Sequence, residues 1–146
     1  MSALSPDGIG DELDETTALL GTIPGGTDLL ARLGSVADFH DAEIVGLTLD
    51  RSGTSTLVLK VTEGPKQALV RFTLNQWIDV NLNGFSQQNV INRLTIRRTK
   101  ERRIEPWESG TGVQVGEFEI TLAPCFGAYG MIRANIERIE FLDYDT

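Results

Sequence analysis

The segment from Phe39 to Glu43 contains residue types that can carry acid–base chemistry. It holds His40, the only histidine of the chain, followed by the carboxylates Asp41 and Glu43. A histidine titrates near neutral pH, and a neighbouring carboxylate can orient it as a general base. On an extended strand His40 would point away from Asp41 and Glu43, because successive side chains face opposite sides. We therefore favour a structural interpretation, in which His40 and Asp41 fix the loop before the first strand through hydrogen bonds to the backbone.

Cys125, the only cysteine, is the second residue that could carry chemistry. It lies beside a glycine-bounded turn, where a thiol could act as an exposed nucleophile with His40 as its base. A small hydrolase-like enzyme that uses His40 with Asp41, Glu43 or Cys125 is therefore the first alternative function. One histidine and one cysteine cannot build a zinc site, and no phosphate-binding loop is present, so we expect no metal and no cofactor.

A stretch of basic residues at positions 93–103, here called the basic ribbon, is the clearest local charge feature. It contains one acid, Glu101, and six bases: Arg93, Arg97, Arg98, Lys100, Arg102 and Arg103. Such a patch can bind phosphate-rich ligands, which is the second alternative function. The simpler interpretation is a solvated strand and hairpin whose arginines pair with neighbouring acids.

Aromatic residues near the expected loops favour a protein-binding role. Trp107 follows the basic ribbon in segment 105–116, whose proline and glycines predict a long hairpin loop. Exposed tryptophan and arginine commonly anchor protein interfaces, so we expect Trp107 to be an anchor beside Arg97, Arg98, Arg102 and Arg103. Four further aromatics are expected near loops rather than on the alternating core positions: Trp77, Phe85, Phe126 and Tyr129.

The acidic charge is concentrated at the beginning of the chain. The formal net charge is −8, and residues 1–43 hold nine acids against a single base, Arg32. Long-range repulsion argues against nucleic acid as a partner. An acidic surface can instead mimic nucleic acid and occupy the basic groove of a nuclease. The first twenty residues contain no base and do not resemble a secretory signal, no long apolar run is present, and one cysteine allows no internal disulfide. We expect a cytoplasmic protein without membrane association.

The hydropathy pattern predicts one domain that is mainly β. We expect a flexible acidic tail over 1–12, a single β-rich domain over 13–146, and two short helices before residue 34. Period-two alternation then predicts strands, with Val45, Leu47 and Leu49 on the first buried face. The polar segment 86–91 is expected to form one helical turn, and a bulge near Glu137 and Arg138 would keep both apolar sets of the last strand inward. Seven strands without long helices predict an antiparallel meander that forms a sandwich or partly closed barrel, with an edge strand through which a homodimer could form.

Several segments together resemble a known group of proteins. They are Phe39-His40-Asp41-Ala42-Glu43 leading into Leu47-Thr48-Leu49-Asp50-Arg51, then Gly84-Phe85 with Gln88-Asn89-Val90, then Phe126-Gly127 through Gly130 before the last strand. This arrangement resembles small bacterial proteins of the immunity-protein-fifty type of polymorphic toxin systems, over roughly residues 39–141. The resemblance implies a compact cytoplasmic protein that binds and neutralises a cognate toxin, without catalysis or cofactor. A noncatalytic immunity protein with a protein partner is therefore the primary functional hypothesis.

Overall fold

The computed structural model describes residues 9–33, 39–51, 53–63, 66–99 and 116–143. Two short helices precede six strands: α1 (Ile9–Leu20), α2 (Gly26–Leu33), β1 (Glu43–Thr48), β2 (Ser55–Glu63), β3 (Lys66–Asn83), β4 (Val90–Arg98), β5 (Phe118–Phe126) and β6 (Tyr129–Asp143). The predicted fold class is confirmed, because the chain is mainly antiparallel β-structure with short N-terminal helices.

The strands form a closed barrel in the order β1-β2-β3-β6-β5-β4. Each half of the barrel is a three-stranded meander, and all the pairs are antiparallel. The long strands β3 and β6 pair along their length, from Ala68 opposite Asp143 to Asn83 opposite Tyr129. The barrel closes at one corner, where Glu43 of β1 pairs with Val90 of β4. The outcome is thus a barrel rather than a sandwich.

Alternating apolar side chains from every strand fill the barrel. Phe72 and Leu74 of β3 are fully buried, and Phe39 from the loop before β1 packs against Phe72 with ring centroids 5.9 Å apart. Each such side chain contributes about 1.5–3 kcal/mol when removed from water. The large fully buried residues of β2, β4, β5 and β6 are Leu57, Leu59, Ile91, Leu94, Ile96, Ile120, Leu122 and Ile132.

Bulges decide which side chains face the core at two places. The register between β3 and β6 shifts so that Leu74 pairs with Ile136 and Thr73 with Arg138, which leaves Glu137 without a partner. The predicted bulge is therefore confirmed. The expectation for β1 is wrong, because a second bulge shifts the register around Val45, which is 48 % exposed.

The bulge in β1 changes which residues face inward. Ile44 is buried and Leu47 packs against the core, whereas Leu49 at the end of the strand is 57 % exposed. The extra residue in the strand reverses the alternation between these positions. A simple period of two therefore assigned Leu47 correctly and Leu49 incorrectly.

Two further expectations about local structure need correction. The alternating apolar residues predict one strand over 68–74 and another over 78–82, but both ranges belong to one strand, β3, whose register with β6 shifts between Asn75 and Asp79. The helical turn expected over 86–91 is wrong, because residues 84–89 contain no helix and β4 begins at Val90. A network of side-chain hydrogen bonds shapes this connection instead, as described below.

The two helices cover the core beside β4 and β6. Helix α1 begins at Ile9, so the tail expected over 1–12 is helical from residue 9 onward, and residues 1–8 lie outside the described ranges. The buried hydroxyl of Thr16 accepts the N–H of Ile96 at 2.9 Å and donates to the carbonyl of Ile96 at 3.2 Å, so one side chain satisfies a strand edge. The N–H of Ile139 donates to the carbonyl of Pro24 at 2.8 Å. In the described part of the chain, no helix is both long and apolar enough to cross a membrane.

Candidate protein-binding surface

His40 lies in a tight turn rather than on a strand. Phe39 and Asp41 both have positive φ, 59° and 65°, and β1 begins two residues after Asp41. The turn places the ring Nδ1 of His40 2.9 Å from the carbonyl oxygen of Asn92 and its Nε2 3.5 Å from a carboxylate oxygen of Asp41. The expectation that His40 points away from Asp41 is wrong, while the contact with Asn92 agrees with a role in fixing the loop.

The side chains that could carry acid–base chemistry, those of His40, Glu43 and Cys125, do not lie together in one site. The carboxylate of Glu43 forms an ion pair with Lys60 at 3.2 Å instead of facing His40. Cys125 is exposed on β5 and forms no hydrogen bond with His40 in the described structure. Within the described ranges, no group of three His, Cys, Asp or Glu residues is arranged to hold a metal ion. This geometry gives no support to the hydrolase-like alternative.

The basic ribbon is divided between two faces of β4. Arg97 stands opposite Glu119 of β5, whereas Arg98 pairs with Glu117 and lies over the ring of Phe118 at 5.6 Å. The simpler interpretation of the basic ribbon is that its arginines pair with neighbouring acids, and Arg98 does so through Glu117. Lys100, Glu101, Arg102, Arg103 and Trp107 lie outside the described residues.

A row of alternating charges crosses the outer face of β5, β6 and β3. Arg133 donates to Glu119 at 3.1 Å and to Asp79 at 3.2 Å, and Glu119 is only 7 % exposed. Arg133 thus satisfies both acids at once, and none of the three side chains needs an external partner. The charge row forms the polar boundary of the surface described next.

Three aromatic side chains project from one end of the barrel, and we call Phe85, Phe126 and Tyr129 the aromatic apex. They are 56 %, 58 % and 42 % exposed. Phe126 and Tyr129 flank the turn between β5 and β6, and Phe85 follows Gly84, whose added Cβ would lie 3.0 Å from the Tyr129 ring and 2.9 Å from the carbonyl oxygen of Gly127. The two connections that carry the apex therefore touch. Exposed clusters of large aromatics mark binding surfaces.

Asn89 holds the two connections together. Its Oδ1 accepts the backbone N–H groups of Ser86 at 2.9 Å and Ala128 at 3.0 Å, and its Nδ2 donates to the carbonyl of Ser86 at 2.9 Å. Gly127 has φ of 88°, and an added Cβ would lie 2.4 Å from the carbonyl oxygen of Gln88. Hydrogen bonds with Asn89 thus hold the backbone that carries the apex, and a backbone held in advance loses less conformational entropy when a partner binds.

A groove of about 450 Å³ lies on the outer face beside the apex. Its sides come from Tyr129 and Met131 of β6 and from Pro124 of β5, while the amides of Asn81 and Asn83 line its β3 side. A mostly apolar groove with a few polar groups suits an apolar side chain of a binding partner. The apex and the groove share Tyr129.

Comparisons with known proteins identify no family or relative for this chain. A scan against protein-family models finds no match, and searches of the curated proteins and of the solved structures also find none.

The sequence predicted where the aromatic side chains lie, but not that Asn89 holds the loops that carry them. Phe85, Phe126 and Tyr129 were expected near loops and lie there, whereas the side chain of Trp77 is not described. Trp107, expected to be the anchor, lies outside the described residues. The role of Asn89 was missed, although an asparagine three residues after a serine and five after Gly84 is typical of side chains that cap turns.

Proposed function

We propose that this chain is a noncatalytic binding protein of the cytoplasm, of the immunity type, which neutralises a toxin by direct contact through the aromatic apex and its groove. The observation that carries the proposal is the apex itself, three aromatic side chains about half exposed on a backbone held by Asn89. Solvating such a surface is unfavourable, and binding a protein partner removes it from water.

The composition of the surface favours a protein partner over a small polar ligand. Rigid Phe and Tyr side chains lose little conformational entropy on binding and are typical of interface anchors. Arg133 forms ion pairs with both Asp79 and Glu119 at the edge of the surface, and Glu119 is the buried acid of the two, so a partner meets no unpaired buried charge there.

The net charge of −8 favours a basic partner. Exposed acids on the helices, including Asp14, Glu15 and Asp28, would accelerate the approach of such a protein without belonging to the contact surface. Deleting the N-terminal segment is not a clean test of this effect, because Leu20 and Leu29 of the helices are fully buried. Replacing exposed acids with amides is the suitable change, and it should lower the association rate more than it raises the dissociation rate.

The exposed Cys125, next to Phe126, offers a direct test. The full chain labelled at Cys125 with a photoreactive benzophenone is irradiated in lysate of the source organism, and the cross-linked protein is identified by mass spectrometry. The matched control is the double variant Cys125→Ser and Leu49→Cys, which moves the label to an exposed residue after β1. We expect one protein to be captured from position 125 and not from position 49.

Two variants then link capture to function. The double variant Phe85→Ala and Tyr129→Ala should lose most of the capture, since it removes two of the three apex side chains. The captured protein, expressed alone, should arrest growth, and co-expression with the wild-type chain but not with the double variant should restore it. No capture at position 125, or equal capture by the double variant, would overturn the binding surface. Capture of a harmless protein would overturn the immunity role alone.

A further inference from the structure

Strand β3 continues beyond its neighbour β2. The β2–β3 pairing ends where Ser55 stands opposite Leu74, whereas the β3–β6 pairing continues to Asn83. Residues 79–83 therefore have β6 on one side and no described strand on the other. The barrel is closed at β1 and β4, but among the described strands this segment has an open edge, and open edges are where a further strand can pair.

The orientation of the backbone identifies the groups at this edge. A Cβ added to Gly130 of β6 would lie 2.1 Å from the carbonyl oxygen of Asn81, so the backbone groups of Asn81 face β6. Alternate residues of an antiparallel strand direct their N–H and C=O groups to opposite sides. The groups of Val80 and Leu82 therefore face the open side, where no backbone group of the described ranges bonds to them.

We propose that two copies of this chain pair antiparallel along the β3 edge, with a two-fold axis at Asn81. In this register Val80 of each copy stands opposite Leu82 of the other, which forms four backbone hydrogen bonds from groups that have no backbone partner within the described ranges. Asp79 stands opposite Asn83, so no two charges of like sign are opposed, and Asp79 already has Arg133 as its partner at 3.2 Å. The segment is thus complementary to itself.

The chemistry of the edge selects a second copy over other occupants. The only charged side chain of the segment 79–83 is Asp79, although the whole chain carries −8, so this is a place where two acidic molecules can approach. Five residues per copy make a small interface. We therefore expect a reversible dimer whose population rises through the micromolar range of concentration. This inference does not depend on the toxin-binding role.

Sedimentation of the full chain over a concentration series tests the proposal with two matched variants. Asn81→Lys places two like charges opposite each other at the axis and should weaken the dimer. Asn83→Lys adds the same charge to the same strand but places it opposite Asp79 of the second copy, so it should preserve or strengthen the dimer. Asn81 and Asn83 are both exposed, and circular dichroism should show native folding for both variants. We expect the two dissociation constants to differ by about ten-fold.

Hydrogen exchange supplies a second readout that does not depend on a substitution. With rising concentration, the amides of Val80 and Leu82 should exchange more slowly, while the amide of Asn81 is already protected by β6. A wild-type chain that stays monomeric at every concentration would overturn the proposal. Equal dissociation constants for the two lysine variants, or a dimer without added protection at Val80 and Leu82, would also overturn it.

Discussion

Replacing Asn89 with alanine tests the frame beneath the aromatic apex. The change removes one acceptor shared by the N–H groups of Ser86 and Ala128 and one donor to the carbonyl of Ser86. Ala128 is fully buried, so its N–H would lose its partner without gaining water, at a cost of about 1–3 kcal/mol. The bonds to Ser86 are exposed and add about 0.5 kcal/mol each. We expect a loss of about 2–4 kcal/mol in the free energy of unfolding.

Urea unfolding measures this loss against a matched control. Asn92→Ala changes the same residue type three residues later, on β4, where the side chain is exposed and forms no hydrogen bond within the described structure. With a denaturant slope of about 2 kcal/mol per molar urea, the Asn89→Ala midpoint should fall by about 1–2 M relative to that of Asn92→Ala. Exchange of the Ala128 amide should accelerate selectively. A difference between the two variants below about 0.5 kcal/mol would refute the assignment of Asn89 as the support of the apex.

Three further changes probe other parts of the fold. Thr16→Val removes the hydroxyl that satisfies the edge of β4 and should destabilise by about 2 kcal/mol in urea unfolding, whereas Thr17→Val, exposed on the same helix, should have little effect. Gly127→Ala should lower the free energy of unfolding by at least about 2 kcal/mol, because the backbone there has positive φ and leaves no room for a Cβ. The matched control is Gly46→Ala, whose Cβ would meet only an ordinary contact at 3.9 Å, and it should stay within about 1 kcal/mol of wild type. The arginines beside Glu140 hold its pKa below the ordinary 4.5, chiefly through a hydrogen bond, so its stabilising effect should be complete above pH 4.5 and fall with the pH below that value. The difference in midpoint between wild type and Glu140→Gln should therefore shrink on acidification, and a constant difference would contradict the pairing.

The alternation of side chains predicted the barrel better than it predicted its irregularities. The bulge near Glu137 was predictable because Ile136 and Ile139 would otherwise face opposite sides of the last strand. The bulge at Val45 was not, because Val45, Leu47 and Leu49 satisfy a regular alternation equally well, and only the pairing with β2 shows the shift. A bulge leaves a signal in the sequence when it interrupts the pattern, and none when the residues on both of its sides are apolar.

The candidate surface was predicted in its parts but not in its assembly. A pattern along the chain places Phe85 and Phe126 near loops, yet it carries no information on which loops meet. Their proximity depends on the long-range pairing of β3 with β6 and on the contact between Gly84 and Gly127. The direction of the His40 side chain was also predicted wrongly, because the positive φ of Asp41 makes a turn where an extended strand entry was expected.

Dimerisation at the β3 edge and partner binding at the apex are compatible because they use different groups of one strand. Pairing would use the backbone of Val80 and Leu82, whereas the groove uses the side chains of Asn81 and Asn83 on the outer face. A two-fold axis at Asn81 would join the two outer faces into one surface, with a groove and an aromatic apex on each side. If both proposals hold, two partner molecules should bind per dimer. Dilution below the dissociation constant of the dimer, which changes no side chain of the groove, should then convert the complex from two-to-two to one-to-one while photo-cross-linking from Cys125 persists.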